Sequence, residues 1–131
     1  MVIGELMKIN FDSLIPVYMQ IAEAIEDDII GGRLVEGGAA YSQLLLAREL
    51  NVNPATAAKG INVLVNKGIL DKQRGASMTV AGGARERLMG ERRGKNFRAL
   101  ISNLVSEANK IMLTESDVIN EVKKYYEGLE R

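Results

Sequence analysis

Cysteine and histidine are both absent from the 131-residue sequence. Without them there is no disulfide framework, no thiolate zinc site, no thiol nucleophile and no imidazole to act as acid, base or metal ligand. The expectation is a protein of a reducing, cytoplasmic compartment, with no metal and no cofactor. Catalysis would fall to a pair of carboxylates. The acids that cluster in sequence, Glu23, Glu26 and Asp27, read instead as a solvated helix face, so an enzyme is not expected. Long hydrophobic runs are missing too. The opening residues, MVIGELMKINFDS, have neither the basic start nor the apolar stretch of a signal peptide. No later run approaches the roughly 18 apolar residues of a membrane span, which leaves no membrane partner to expect.

An excess of charge is also lacking, since 17 Lys and Arg balance 17 Asp and Glu. That balance argues against a protein that coats nucleic acid without selection, although an average conceals local patches. Residues 53–74 carry Lys59, Lys67, Lys72 and Arg74 against Asp71 alone. Residues 85–98 carry Arg85, Arg87, Arg92, Arg93, Lys95 and Arg98 against Glu86 and Glu91, a mixed run that reads as a solvated helix face.

The apolar residues fall into helical periods. Val17, Ile21, Ile25 and Ile29 repeat every fourth residue between Pro16, suited to a first helical turn, and the stop Gly31-Gly32. Residues 33–41, with small turn-prone residues, read as a loop containing a short extended piece. Ser42 is an N-cap for a helix over Gln43–Leu50, with Leu46 and Leu50 inward. Asn53 then caps a third helix that begins at Pro54 and stops before Gly68. Its inward positions are Ala57, Ile61, Leu64 and Val65, which leaves Ala55, Thr56, Lys59 and Asn62 outward. Ile69-Leu70 and Met78–Val80 can pair as a short hairpin around residues 74–77.

Past Ala81-Gly82-Gly83, Phe97, Leu100, Ile101, Leu104, Val105, Ala108, Ile111 and Met112 form a stripe at helical spacing. Gly90 and Gly94 each cost about 1 kcal/mol against alanine inside a helix and predict a bend or fraying in its first half. Thr114 and Asp117 have the spacing of a capping box before a last helix lined by Val118, Ile119, Val122, Tyr125, Tyr126 and Leu129. The chain is therefore read as mainly α with a small β wing. Its parts are an N-terminal arm (1–13), a winged helix-turn-helix (14–81) and a C-terminal two-helix extension (84–131). Two helices alone make a poor core, so the stripe Phe97, Leu100, Ile101, Leu104, Val105 and Ala108 is the expected seam of a homodimer.

A major groove admits one α-helix, whose N-terminal end must present short polar or basic side chains while the other face stays anchored. Residues 53–62 fit that demand. The free N–H groups of the helix start suit a phosphate, and a wing bearing Lys72 and Arg74 reaches the neighbouring strand.

The ordered set Pro16-Val17-Tyr18, Gln20-Ile21, Gly32, Gly38, Ser42, Leu46-Ala47, Val52-Asn53-Pro54-Ala55-Thr56-Ala57, Leu64, Lys67-Gly68-Ile69-Leu70, Arg74-Gly75 and Val80 resembles the GntR-type regulators, and within them the short YtrA-like subfamily. The resemblance implies a repressor that binds double-stranded palindromic operator DNA as a homodimer, with a small-molecule effector as its control and transporter genes as its targets. It implies a DNA-binding set of Ser42, Asn53, Pro54, Ala55, Thr56, Lys59, Arg74 and Gly75, with the C-terminal helices as the dimerisation unit. The chain also departs from the family pattern. Tyr41 stands where a proline usually precedes the serine, Leu44 and Ala58 fill arginine positions, and Ser77 and Thr79 replace a glycine and an aromatic of the wing. Each lost arginine contact is worth about 1–3 kcal/mol of base discrimination. The departures point to weakened binding or to reading mainly through the wing. They also motivate the alternative of a dimeric winged-helix module that binds protein.

Overall fold

The computed structural model describes residues 7–73 and 78–129 and divides after Met89 into two compact units. The first contains α1 (Val17–Ile30), α2 (Gln43–Leu50), α3 (Pro54–Asn66), β1 (Leu70–Lys72), β2 (Met78–Val80) and most of α4 (Ala84–Glu91). The second contains a π-helical turn (Arg92–Asn96), α5 (Phe97–Lys110) and α6 (Glu115–Leu129). Among the described residues, no helix is long and apolar enough to cross a membrane.

In the first unit the four-residue repeat of α1 becomes the floor of the core, with Ile21, Ile25 and Ile29 fully enclosed by Leu46, Leu64, Ile69, Leu70, Val80 and Leu88. Pro16 stands one residue outside the helix rather than in its first turn, and its carbonyl accepts from the Met19 and Gln20 amides. Met7 of the arm is buried in the same core. α3 crosses α1 at Gly60, where a Cβ would lie 2.9 Å from the Tyr18 carbonyl oxygen and 3.0 Å from Ile21 Cγ2. Only a residue without a side chain lets the two backbones meet this closely. α3 ends as expected: Gly68 takes a φ of +74°, and the Ile69 amide turns back to the Leu64 carbonyl at 2.9 Å.

β1 and β2 are antiparallel, with Leu70 opposite Val80 and Lys72 opposite Met78. The extended piece expected in 33–41 lies along β2. Gly37 and Ala40 donate to the Val80 and Met78 carbonyls at 2.8 Å, and Ala39 bridges Thr79. This segment is tied to the end of α1 by Asp28, the buried charged residue of the core. Its carboxylate accepts from Arg33 at 2.7 Å and from the Tyr41 hydroxyl at 2.6 Å. Burial, the Asp28 hydrogen bond and the Asp28 charge together push the Tyr41 phenol well above its ordinary range, with Arg33 opposing. Tyr41, a departure from the resembled pattern, thus joins Arg33 in keeping Asp28 satisfied.

The compact first unit runs past the glycine boundary at residues 81–83. Ala84 and Leu88 of α4 are buried in its core, and Arg85 and Arg87 close two helix ends. Arg85 Nε donates to the Ile30 carbonyl at 2.9 Å, and Arg87 Nη2 to the Lys67 carbonyl at 2.8 Å. Neither α1 nor α3 has a basic residue in its own last turn, so the unsatisfied carbonyls there find their cations on α4. These two arginines are therefore structural caps, not part of a merely solvated face.

In the second unit the irregularity expected near Gly90 and Gly94 takes the form of the π turn over Arg92–Asn96. α5 ends with Met112 at a φ of +63° and the Leu113 amide on the Ala108 carbonyl at 2.8 Å. The capping box forms in both directions: the Asp117 carboxylate accepts from the Thr114 amide at 2.9 Å, and Thr114 Oγ1 accepts from the Asp117 amide at 3.1 Å. The backbone bond from Thr114, with the side-chain bond second, holds Asp117 below the usual carboxylate range. Almost nothing here is buried. Phe97, Leu100, Ile101, Leu104 and Val105 are exposed in the single chain, as are Ile119, Val122, Tyr125, Tyr126 and Leu129. Ala108 differs from the rest of its predicted stripe: it is buried in the single chain.

Candidate nucleic-acid interface

The start of α3 gathers most of the residues singled out in the sequence. Asn53 Oδ1 accepts from the Ala55 amide at 2.8 Å, and Pro54 occupies the first turn. Pro54 and Ala55 are exposed and Thr56 is half-buried beside them. Ser42 does the same for α2, its Oγ accepting from the Leu45 amide at 3.1 Å. Two capped helix starts are linked here, because Gln43 Nε2 donates to the Pro54 carbonyl at 3.1 Å. That bond fixes the angle of the turn between α2 and α3. No sequence signal marks it, since a glutamine one residue past a cap looks like any solvated side chain.

The cations are not equivalent. Lys59 lies with its Nζ 4.2 Å from the centroid of the Tyr18 ring, an attraction that holds the ammonium on the exposed side of α3. Lys67, counted in the same basic stretch, is spent on Glu26, at 2.8 Å across to α1. Glu26 is accordingly an ion-pair partner rather than a freely solvated acid. Lys72 of β1 lines a cleft with Ser42, Leu44, Ala58 and Met78. Arg74 and Gly75 lie outside the described residues, as does Ser77. The described surface is thus a capped helix N-terminus flanked by Lys59 and Lys72, with amide donors and a positive dipole end turned outward. Chemically it can hold a phosphate oxygen or a groove edge. No described side chain there offers an activated nucleophile, because its polar groups are a capping serine, a capping asparagine, a threonine and lysines.

The exposed apolar residues of the second unit form the other candidate surface. An open cleft of about 440 Å³ runs between α5 and α6, walled by Leu104, Ile111, Val122 and Tyr126 and flanked by Glu107 and Glu121.

No protein-family model matches the chain. It is similar to the HTH-type transcriptional regulator YhcF of Bacillus subtilis, 26% identical over 119 residues that cover 91% of this chain and 97% of that protein. Among solved structures it is similar to a GntR family transcriptional regulator from Listeria monocytogenes. That likeness has 28% identity and a TM-score of 0.72, covering 87% of this chain and 98% of that one. It is also similar to YtrA from Sulfolobus acidocaldarius, a GntR-family transcription factor, at 32% identity and a TM-score of 0.58, covering 73% of this chain and 98% of that one.

Proposed function

The chain belongs to the GntR family of DNA-binding transcriptional regulators, and from that premise we propose that it is a cytoplasmic repressor whose homodimer grips a palindromic operator. The observation that carries this reading is the exposed start of α3, capped by Asn53, with Lys59 braced on Tyr18. Such an end enters a major groove with its amides toward the phosphates. Ser42, Asn53, Pro54, Ala55, Thr56, Lys59, Arg74 and Gly75 are the proposed DNA-contacting set. The bare stripe of Phe97, Leu100, Ile101, Leu104 and Val105 supports pairing of two copies, which sets the distance between two reading helices.

Regulation belongs to the same proposal. A small effector is part of it, one whose binding would alter the spacing of the two heads. Genes for membrane transporters are the proposed targets, by likeness to the short subfamily.

Fluorescence anisotropy with the intergenic DNA upstream of the chain's own gene tests the reading. The expected result is salt-sensitive binding in preference to random duplex. Lys59→Ala should weaken binding evenly across sequences and lower the salt slope by about one. A stable dimer with no preference for any duplex would favour the protein-binding module instead.

A further inference from the structure

The head carries a large apolar side chain in a place where water alone does not explain it. Leu44 is 75% exposed and sits two residues past the Ser42 cap of α2. It lies in a cleft of about 390 Å³ with Ala58 and Asn62 of α3 and with Lys72 and Met78 of the wing strands. The cleft opens beside the very helix starts proposed to meet DNA. Its chemistry is uneven: Leu44, Ala58 and Met78 offer methyl and methylene groups, and Ser42, Gln43, Asn62 and Lys72 supply its polar part.

Each base pair shows the major groove a different edge. Guanine presents two acceptors and needs a forked donor, and cytosine presents an amino donor and needs an acceptor. Thymine presents a C5-methyl group, for which apolar contact is enough. One of the two Nε2 hydrogens of Gln43 is engaged by the Pro54 carbonyl, which ties that side chain to the α2–α3 turn. Lys72 and Lys59 supply the charge complementarity that seats a duplex over this face.

Resting on the operator-binding reading, we infer that Leu44 and Ala58 form a thymine-methyl reader, so that the operator carries an A·T pair under α2. The two substitutions that look like lost contacts are then a changed base preference. Leu44 is the specificity-determining residue of the pair, because it projects furthest, and Ala58 is the small neighbour that leaves room for the methyl.

The test uses the intact chain. A selection from a random duplex pool defines the site, and each thymine of that site is then replaced in turn by deoxyuridine, which removes the methyl and nothing else. The account expects at least one thymine whose replacement weakens binding about three- to tenfold, in line with the worth of one buried methyl-sized group. At that position Leu44→Ala should bind the thymine and deoxyuridine duplexes equally, whereas Lys59→Ala should weaken both and keep the ratio. Leu44→Arg should move the selected base toward guanine. Leu44 is exposed, so these variants keep the fold, which their melting temperatures verify. A selected operator in which no thymine-to-deoxyuridine change depends on Leu44 would overturn the inference and leave operator binding standing. No enrichment from the pool at all would overturn both, and would turn the Leu44 face toward a protein partner.

Discussion

Both units of this chain contain an amphipathic helix of 14 residues, α1 in the head and α5 in the C-terminal unit, yet the head encloses its core stripe and the C-terminal unit leaves its own open. In the head, Ile21, Ile25, Leu46 and Leu64 are sealed from water, and the buried carboxylate of Asp28 has two partners. In the C-terminal unit, Leu100 is 64% and Phe97 57% exposed. The difference teaches that periodicity reports which face is apolar but not what will cover it. The head has four helices and a small sheet to enclose its core, whereas α5 and α6 have only each other, which is too little for closure. A second copy is the occupant we propose for the α5 stripe.

Breaking the contrast at the open end should have the largest effect. In a lone chain Leu100→Asp is a surface change, worth no more than about 0.5 kcal/mol. In a dimer seam it buries an unpaired charge and costs about 3–5 kcal/mol. Sedimentation should therefore show the variant as a monomer, with operator affinity lost and the far-ultraviolet spectrum of the head retained.

At the closed end, Gly60→Val should destabilise the head by about 1–3 kcal/mol, the range for overpacking a filled core. The new Cβ would meet the Tyr18 backbone. A denaturant melt followed through the head reads this directly, and dimerisation should persist until the head unfolds.

The smallest effect expected is at the Thr114 cap, where Thr114→Ala should cost about 1 kcal/mol of helix stability. Its sign with pH follows from Asp117, whose folded carboxyl is held below its ordinary value. The stabilisation is present above that ordinary value and lost as pH falls through the lowered folded one. Circular dichroism of the intact chain across that acid range should show α6 weakening in the parent and little pH dependence from this source in Asp117→Asn.

Much of this was legible in the sequence, for reasons that separate by range. The caps at Ser42, Asn53 and Thr114 and the stop at Gly68 are local, so spacing alone places them. The core stripe of α1 follows from periodicity, whereas of the hairpin only its presence was legible: its first strand runs over Leu70–Lys72 rather than Ile69-Leu70, and its register comes from the fold. What escaped notice was long-range. Arg85 and Arg87 look like members of a solvated run, yet they cap helices that end more than fifteen residues away in sequence. The role of Tyr41 depends on Asp28, thirteen residues earlier, and the bracing of Lys59 depends on Tyr18. The same range limit governs the candidate site: its capped helix start could be read from residues 53–56, but the cleft that joins Leu44 to Ala58 exists only once α2, α3 and the wing are folded together.

The most direct test of the account is sedimentation equilibrium of the intact chain at low micromolar concentration, in parallel with Leu100→Asp. The account predicts a species of twice the chain mass for the parent and a folded single chain for the variant. A parent that stays monomeric at concentrations where it binds its operator would contradict it, because the bare faces of α5 and α6 would then have no partner copy to cover them.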